Sequence, residues 1–326
     1  MSGLFTRSPS NVAAPKPQCV FAFCARVAQR VRGCARYPPN VYRVIEWGAA
    51  MNLRKDGRQR RLLVRASFIL LPFSLAGSAF LFGQMDARTI LERSISVADR
   101  SWAAKRTYTF IERDQETHLD SEGQVKSTDV EVDRAIIVNG DTFEQTISHN
   151  GQPPTAEKKK KEQELLRKRQ NETPAQREAR LKEEDDDRGF IKEVPDAFSF
   201  RLLSDEVVEG RPAYVLDALP KPDYQAKTKY GKMFSKVHGK LWVDKEDFGW
   251  VKVEANVLAP FSMFFLARVQ PGTRINFEQT RVGDGIWLPR RVDVKAEAKI
   301  LFVKNYQLDE SITYSNYQPT APTKKY

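Results

Sequence analysis

The sequence predicts a mainly β fold, namely a single curled antiparallel sheet of roughly ten strands with a docked N-terminal helix. Two observations support this. Apolar and polar residues alternate repeatedly between residues 108 and 317, and short turn sequences such as Asn139-Gly140-Asp141 separate the alternating segments. Strands joined by short turns pair antiparallel, because a parallel connection needs a crossover of about a dozen residues. A sheet this long has to curl, and curling produces a concave face.

The individual elements follow from local patterns. Residues 86–105 begin with a capping acid and place apolar residues at helical spacing, which predicts one amphipathic helix. The Asn139-Gly140 pair predicts a tight hairpin, because it supplies the positive φ angles that such a turn needs. The clearest hairpin joins Gly239–Asp244 to Trp250–Val257 across a polar turn. In its second strand, valines and an alanine alternate with polar residues, as in a strand with one buried face.

Residues 157–188 interrupt the strand pattern. They hold 11 basic and 10 acidic residues and very few large apolar side chains, so they cannot form a core. We expect a charged helical insertion, divided at Pro174 and supported by ion pairs one turn apart. The run Lys158–Lys161 could contact phosphate and the run Glu183–Asp187 could collect a divalent cation. A solvated surface with mutually neutralising charges is the favoured interpretation of both runs.

The charge of the chain is unevenly distributed. The 326 residues include 53 Lys and Arg against 42 Asp and Glu, a formal net charge of +11. Residues 1–84 contain 13 of the bases and 2 of the acids, so 40 of each remain in the rest of the chain. The basic excess belongs to the N-terminal segment, and the neutral remainder gives no reason to expect a nucleic-acid partner.

Residues 51–84 have the pattern of a secretory signal peptide. A basic stretch from Met51 is followed by the apolar run Ala66–Phe82 and then by small residues. The competing interpretation is an uncleaved membrane anchor, but a span usually takes about 20 residues and tolerates fewer interruptions than this run contains. We therefore expect a soluble protein of the bacterial periplasm, with no stable membrane span after signal cleavage.

The position of the signal also divides the chain. A signal peptide must emerge first from the ribosome, so we expect Met51 to be the true start and residues 1–50 to be a disordered upstream extension. The folded domain is expected at 85–318 and a disordered tail at 319–326. The mature chain then has no cysteine for a disulfide, a thiolate metal site or a lipid anchor, because all three cysteines precede it: Cys19, Cys24 and Cys34.

Candidate catalytic groups are few. His118, His149 and His238 lie in separate segments without metal-ligand spacing, and the mature chain has no nucleophile elbow, zinc-protease or phosphate-loop motif. Asp244 and Asp247, with Glu246 between them, could be paired carboxylates, but acids are ordinary turn formers and these lie in a hairpin turn. We expect no enzyme activity, no metal and no cofactor.

Four segments resemble a known family. They are Gly210–Tyr224 (GRPAYVLDALPKPDY), Gly239–Ala255 (GKLWVDKEDFGWVKVEA), Asp284–Val292 (DGIWLPRRV) and Tyr314–Gln318 (YSNYQ). Their order resembles that of the bacterial outer-membrane lipoprotein-sorting proteins with a LolA/LolB-like fold, over most of residues 86–318. The resemblance implies a half β-barrel with helices that cover a hydrophobic cavity for acyl chains, and hence a role in transport or lipid binding.

The strongest candidate site is apolar. The segment between two predicted strands, residues 259–267, lacks strict alternation, which suggests a short helix or a loop buried on several sides. Methionine and aromatic side chains line irregular apolar ligands well, although a contribution to the core is the favoured interpretation of the segment. The expected ligand is a lipid or the acyl chains of a lipoprotein, and the alternative function is a protein-interaction or envelope-sensing module that uses the charged 157–188 arm. The candidate lipid-binding residues are Phe261, Met263, Phe264, Phe265, Leu266 and Trp287.

Overall fold

The structure is a computed structural model that describes residues 85–263, 267–300 and 304–320. The expected upstream extension, the signal peptide and residues 321–326 lie outside the described residues. The helices are α1 (Ala87–Lys105), α2 (Ala156–Gln170), α3 (Pro174–Arg188) and α4 (Val194–Ala197). The strands are β1 (Tyr108–Leu119), β2 (Val125–Val138), β3 (Asp141–His149), β4 (Phe198–Leu202), β5 (Glu206–Val208), β6 (Arg211–Pro220), β7 (Val237–Asp244), β8 (Trp250–Val257), β9 (Phe261–Met263), β10 (Ala267–Val269), β11 (Arg274–Gly283), β12 (Ile286–Ile300) and β13 (Lys304–Pro319).

All these strands belong to one antiparallel sheet. Its main path runs β3-β2-β1-β13-β12-β11-β8-β7-β6-β4, so the first strand of the chain pairs with the last. Within the described residues, β3 and β4 end this path without pairing to each other, so the sheet is an open barrel. The predicted fold class is confirmed. The strands beyond the predicted number are the three-residue elements β5, β9 and β10.

The hairpin turns have the local chemistry that the sequence predicts. Asn139 and Gly140 connect β2 to β3 with φ angles of 52° and 71°. Glu209 and Gly210 connect β5 to β6 with φ angles of 52° and 78°. Two successive positive φ angles match the right-handed twist of the paired strands, which is why Gly is needed in such turns.

Helix α1 packs on the sheet through a stripe of apolar and small polar side chains. Its N-cap is Asp86, whose Oδ1 accepts the backbone N–H groups of Arg88 and Thr89 at 3.0 Å. Ile90 and Leu91 are fully buried against Leu216, Leu241 and Val243 of β6 and β7. A second core lies between β8 and the β10 to β13 strands, with Phe110 of β1.

The charged insertion forms α2 and α3, and its charges bind it to the domain. Asp141, which follows the β2–β3 turn, accepts from Arg169 at 3.1 Å and from Arg180 at 2.5 Å. Arg106 of α1 lies 3.6 Å from the same carboxylate. The composition of the insertion predicts a solvated surface whose charges neutralise one another. The structure instead uses several of them to dock the insertion against α1 and β3.

Candidate functional site

The face of the sheet that lies toward α1, here called the inner face, changes from apolar to acidic side chains from one strand to the next. Residues that pair directly across an antiparallel ladder share a face. One such row runs from β7 to β2 through Leu241, Val253, Phe277, Val292, Ile312, Asp114 and Glu131. The next row runs through Gly239, Ala255, Ile275, Val294, Glu310, Glu116 and Asp129. The inner face is therefore apolar from β7 to β12 and acidic toward β1 and β2.

A cavity of about 170 Å³ lies between α1 and the apolar half of the inner face. This volume is more than ten times what one water molecule needs. Its wall combines residues from α1, the 3₁₀ turn Gly189–Glu193, α4, β4, β6 to β8, β11 and β12. Seven aromatic residues contribute to that wall: Trp102, Phe190, Phe198, Phe200, Trp250, Phe277 and Trp287. An apolar enclosure of this kind favours alkyl groups over water.

Two hydrogen bonds attach α1 to the sheet across the cavity. The indole Nε1 of Trp250 donates to the Ser94 hydroxyl at 2.8 Å, and the backbone N–H of Trp287 donates to the Ser101 hydroxyl at 3.0 Å. Both serines are buried. Ser94 and Ser101 lie about two turns apart on α1. Because a long-range bond holds the helix at each of these positions, α1 forms a fixed wall of the cavity.

A second wall is formed by the 3₁₀ turn Gly189–Glu193 and α4, which contribute Phe190, Ile191 and Val194. The buried carboxylate of Glu193 ties this segment to the loop after β6. It accepts the backbone N–H of Lys227 at 2.8 Å and the hydroxyl of Tyr224. Burial alone would raise the pKa of Glu193, but the hydrogen bonds, from Thr228 first and then from Tyr224 and Lys227, outweigh it and hold the pKa below its ordinary value of 4.5.

We expect Glu193→Gln to lower the free energy of unfolding at pH 7 by about 2 kcal/mol, because a charged acceptor of several hydrogen bonds is lost. A lowered carboxyl pKa gives stability that is present above the ordinary value of 4.5 and is lost as the pH falls through the folded value. Urea unfolding at pH 7 and at pH 3 should therefore show a smaller difference between wild type and variant at pH 3. Glu92→Gln, on the exposed side of α1, is the control. An equal difference at both pH values would contradict the assignment.

The structure places the predicted lipid-binding residues unevenly. Trp287 borders the cavity, and its indole Nε1 donates to Asp247 at 2.9 Å. Phe261 is half-buried and packs against two apolar clusters, one of which contains Phe190 and Phe198 of the cavity wall. Met263 lies in β9, while Phe264, Phe265 and Leu266 lie outside the described residues. Ligand contact by these six residues stays a prediction.

The segment around Phe261 is not the short helix or loop that its pattern suggested. Phe261–Met263 and Ala267–Val269 pair with each other as β9 and β10, and β10 pairs with the end of β12. Alternation is hard to detect here, because each strand is only three residues long. Ladder hydrogen bonds from the long strand β12 stabilise a hairpin that is too short to form alone.

Most residues of the cavity wall lie outside the segments that the sequence pattern singles out. Phe198 and Phe200 of β4 alternate with polar residues, so their shared face was detectable from the pattern. Trp250 and Phe277 stand in strands whose pairing brings them together only in the folded sheet. The signal for the site is thus spread over distant segments, and no local motif contains it.

The carboxylates in the β7–β8 turn hold the hairpin together. Asp244 is fully buried and accepts two hydrogen bonds from Arg211, Nε at 2.6 Å and Nη2 at 2.9 Å. It also accepts the backbone N–H groups of Glu246 and Asp247 at 2.9 and 3.1 Å. Burial raises the pKa of Asp244, but the Arg211 hydrogen bonds and the turn N–H groups hold it below its ordinary value. This geometry is that of a structural ion pair inside a turn.

The three histidines each lie beside a neighbouring acid. His118 is 2.9 Å from Glu116, and His238 is 2.7 Å from Asp217, whose pKa is lowered chiefly by that hydrogen bond. Among the described residues, no group of three or more potential ligands is arranged to hold a metal ion. In the same part of the chain, no helix has the length and apolarity needed to cross a membrane.

No protein-family model and no curated protein sequence matches the chain. Among solved structures, it is similar to a domain assigned to the outer membrane lipoprotein-sorting proteins of Vibrio parahaemolyticus, with 11% identity and a TM-score of 0.31 over 72% of this chain and 95% of that one. It is also similar to a LolA superfamily protein from Nitrosomonas europaea, with 13% identity and a TM-score of 0.25 over 73% and 95% of the two chains.

A third similar structure is the Pseudomonas aeruginosa MucA/MucB complex, with 12% identity and a TM-score of 0.20 over 71% of this chain and 99% of that one. At these identities and TM-scores, the similarity carries no conclusion about what the chain binds. Two of these three structural neighbours are a LolA superfamily protein and an outer membrane lipoprotein-sorting domain, the group that the sequence motifs of this chain resemble.

Proposed function

We propose that this protein is a periplasmic, non-catalytic carrier or binding protein for lipid or for the acyl chains of lipoproteins. The observation that carries the proposal is the aromatic-lined cavity between α1 and the apolar half of the inner face. A long acyl chain gains about 0.8 kcal/mol per buried CH₂ group, or roughly 10 kcal/mol in total. Much of this offsets the loss of freedom on binding, which leaves an affinity suited to reversible carriage.

The proposal includes the division of the chain. Residues 51–84 act as an export signal, residues 85–318 form the binding domain and residues 1–50 do not belong to the mature protein. The basic stretch and apolar run that follow Met51 support this division. An exported protein would meet lipids and lipoproteins in the bacterial envelope, and their alkyl chains could bind in the cavity.

Lipid that co-purifies with the protein tests the function. The full chain is expressed in a bacterium, purified from the envelope without detergent and examined by native mass spectrometry. We expect a population heavier than the mature protein by the mass of a lipid, which organic extraction removes. The extracted protein should then bind a fluorescent C16 fatty acid. Protein that is consistently empty and does not bind the fluorescent probe would overturn the proposal.

The charged arm, α2 and α3, supports a second candidate function, which is recognition of an envelope protein. The arm is fixed to the domain through Asp141, yet most of its other charged side chains are exposed. Replacement of the exposed arm residues Lys160, Arg167 and Lys168 by Glu separates the two functions. A carrier keeps its co-purified lipid after this change, whereas an interaction module loses a cross-linked partner and binds no lipid in either form.

A further inference from the structure

The two helices of the charged arm carry net charges of opposite sign. Helix α2 has seven basic and three acidic residues, a net charge of +4, whereas α3 has four basic and six acidic residues, a net charge of −2. Helix α2 lies along β2 and β3: Lys158 binds Glu131 at 2.5 Å, and Glu162 accepts the backbone N–H of Thr146 at 3.4 Å. The nearly balanced composition of the insertion therefore becomes a separation of charge, with the basic helix beside the sheet edge.

A groove of about 320 Å³ lies between α2 and the β2–β3 hairpin. This volume is at the lower end of the range of ligand pockets. Ile147, one of the large apolar side chains that the structure leaves exposed, forms part of its wall. The other lining residues are two cations, a carboxylate, two amides, a hydroxyl and a proline: Arg134, Lys159, Glu162, Gln145, Gln163, Thr146 and Pro154. The groove, here called the basic groove, thus combines charge, hydrogen-bonding groups and a small apolar contact.

The two cations of the basic groove have no ionic partner. Arg134 and Lys159 are exposed, and neither forms an ion pair in the part of the chain that the structure describes. Glu162 also lines the groove, but its Oε1 is directed to the Thr146 N–H, and it forms no ion pair with either cation among the described residues. The groove therefore keeps a net positive charge that a ligand anion can meet.

The positive charge continues along one flank of α2. Residues three or four positions apart share a face of a helix. The flank that contains Lys159 consists of three cations and an amide: Lys159, Lys160, Gln163 and Arg167. The opposite flank pairs its charges in both signs: Glu157, Lys161, Glu164 and Lys168. Lys161 binds Glu157 there at 2.6 Å. The uncompensated charge of α2 is thus greatest on the side of the basic groove.

The outer face of the sheet, opposite the inner face, extends the positive charge beyond the groove. Arg134 pairs with Ile111 across β2 and β1, so Arg113, two residues further along β1, shares its face. Arg113 is exposed, and its Nη2 donates to Gln115 at 2.9 Å. The cross-strand partners of these two arginines are neutral residues: Ile111, Val132, Gln145 and Thr313. No acid therefore stands directly opposite either arginine in these ladders of the described sheet.

We infer that the basic groove binds an acidic peptide segment of a partner protein. Carboxylates of the segment pair with Arg134 and Lys159, and the amides of Gln145 and Gln163 can donate to and accept from its backbone. A bilayer surface is instead recognised by protruding basic side chains accompanied by large apolar or aromatic ones. The groove is recessed, and no aromatic residue is among its described lining. This inference rests on the second candidate function and names the chemistry of its partner.

The test measures the binding of fluorescein-labelled peptides to the full-length protein by fluorescence anisotropy. One peptide alternates Glu with Ala, and the comparison peptide of the same length alternates Gln with Ala. We expect the Glu/Ala peptide to bind about tenfold more tightly at low salt, the gain of two ion pairs at a partly screened surface. High salt should remove most of this preference. Equal binding of the two peptides to wild type would overturn the inference.

Two double variants with the same loss of charge locate the site. Arg134→Gln with Lys159→Gln should abolish the preference for the Glu/Ala peptide. Lys161→Gln with Lys168→Gln, on the opposite flank of α2, should retain most of it. All four side chains are exposed, so both proteins should fold. An equal loss in both variants would indicate attraction by net charge alone and would overturn the assignment to the groove.

Two further measurements separate this inference from the functions on which it builds. Binding to phosphatidylglycerol vesicles without binding to the Glu/Ala peptide would identify a membrane surface as the partner and overturn the inference. If an envelope protein cross-links to the arm of wild type while the Glu/Ala peptide does not bind, the inference fails and the second candidate function stands. The fluorescent C16 fatty acid should bind both double variants as it binds wild type, because the basic groove and the cavity share no lining residue.

Discussion

Asp244→Ala is expected to lower the free energy of unfolding by about 3 kcal/mol. The carboxylate is fully buried and binds both Arg211 and two N–H groups of the β7–β8 turn. Its removal leaves two turn donors without their acceptor, and the half-buried Arg211 guanidinium keeps only its hydrogen bond to the exposed Glu246 carboxylate. Urea unfolding at pH 7 measures the loss.

The control for this change is Asp284→Ala. Asp284 lies in the next hairpin turn, fully exposed and 3.7 Å from Arg281, and surface ion pairs of this kind contribute about 0.5 kcal/mol or less. The lowered pKa of Asp244 also fixes the sign of the pH effect. Its contribution is present above the ordinary value of 3.8 and is lost as the pH falls through the folded value, so wild type and variant should converge in acid. A loss at pH 7 below about 1 kcal/mol would contradict the ion-pair assignment.

Gly239→Leu is expected to reduce the affinity for a C16 probe by at least about tenfold, because the added side chain occupies the space that the ligand needs. Gly239 lines the cavity on β7. A Cβ atom there would lie 3.6 Å from Ala218 Cβ and 3.7 Å from the backbone oxygen of Glu254, both ordinary contact distances. A side chain at this position therefore causes no steric clash at its Cβ atom, and the remaining carbons of a leucine extend into the cavity.

Gly239→Ala provides the graded control. It adds one methyl group within contact distance and should leave most of the probe affinity in place. Both variants should unfold cooperatively with stability near that of wild type, which urea titration checks before binding is measured. Unchanged probe affinity in a folded Gly239→Leu protein would show that alkyl chains bind elsewhere.

Much of the fold was predictable because its signals are local. Residues 86–105 carry their own N-cap and helical spacing, and the Asn139-Gly140 turn fixes the β2–β3 hairpin by its φ angles alone. The hairpin β7–β8 was evident from the alternation in its second strand and the polar turn that precedes it. The site was less predictable. Of the six residues that the sequence singled out, Trp287 borders the cavity in the described part of the chain, and its indole is held by Asp247.

The identity of the long helix α1, of the main turns and of the long strands follows from the sequence by itself, as do the charge balance of 40 against 40 after residue 84 and the absence of cysteine beyond residue 34. Only the tertiary structure decided which faces became interior. From residue 112 to residue 118, strand β1 is polar on both of its faces, and pairing with β13 and β2 is what buries Glu112 and Asp114. Lys105 is a basic residue near a helix end, a place where solvent exposure is usual, and the packing of α1 buries it beside the cavity. Periodicity describes one element at a time, whereas a binding cavity is a property of several elements brought together by long-range pairing.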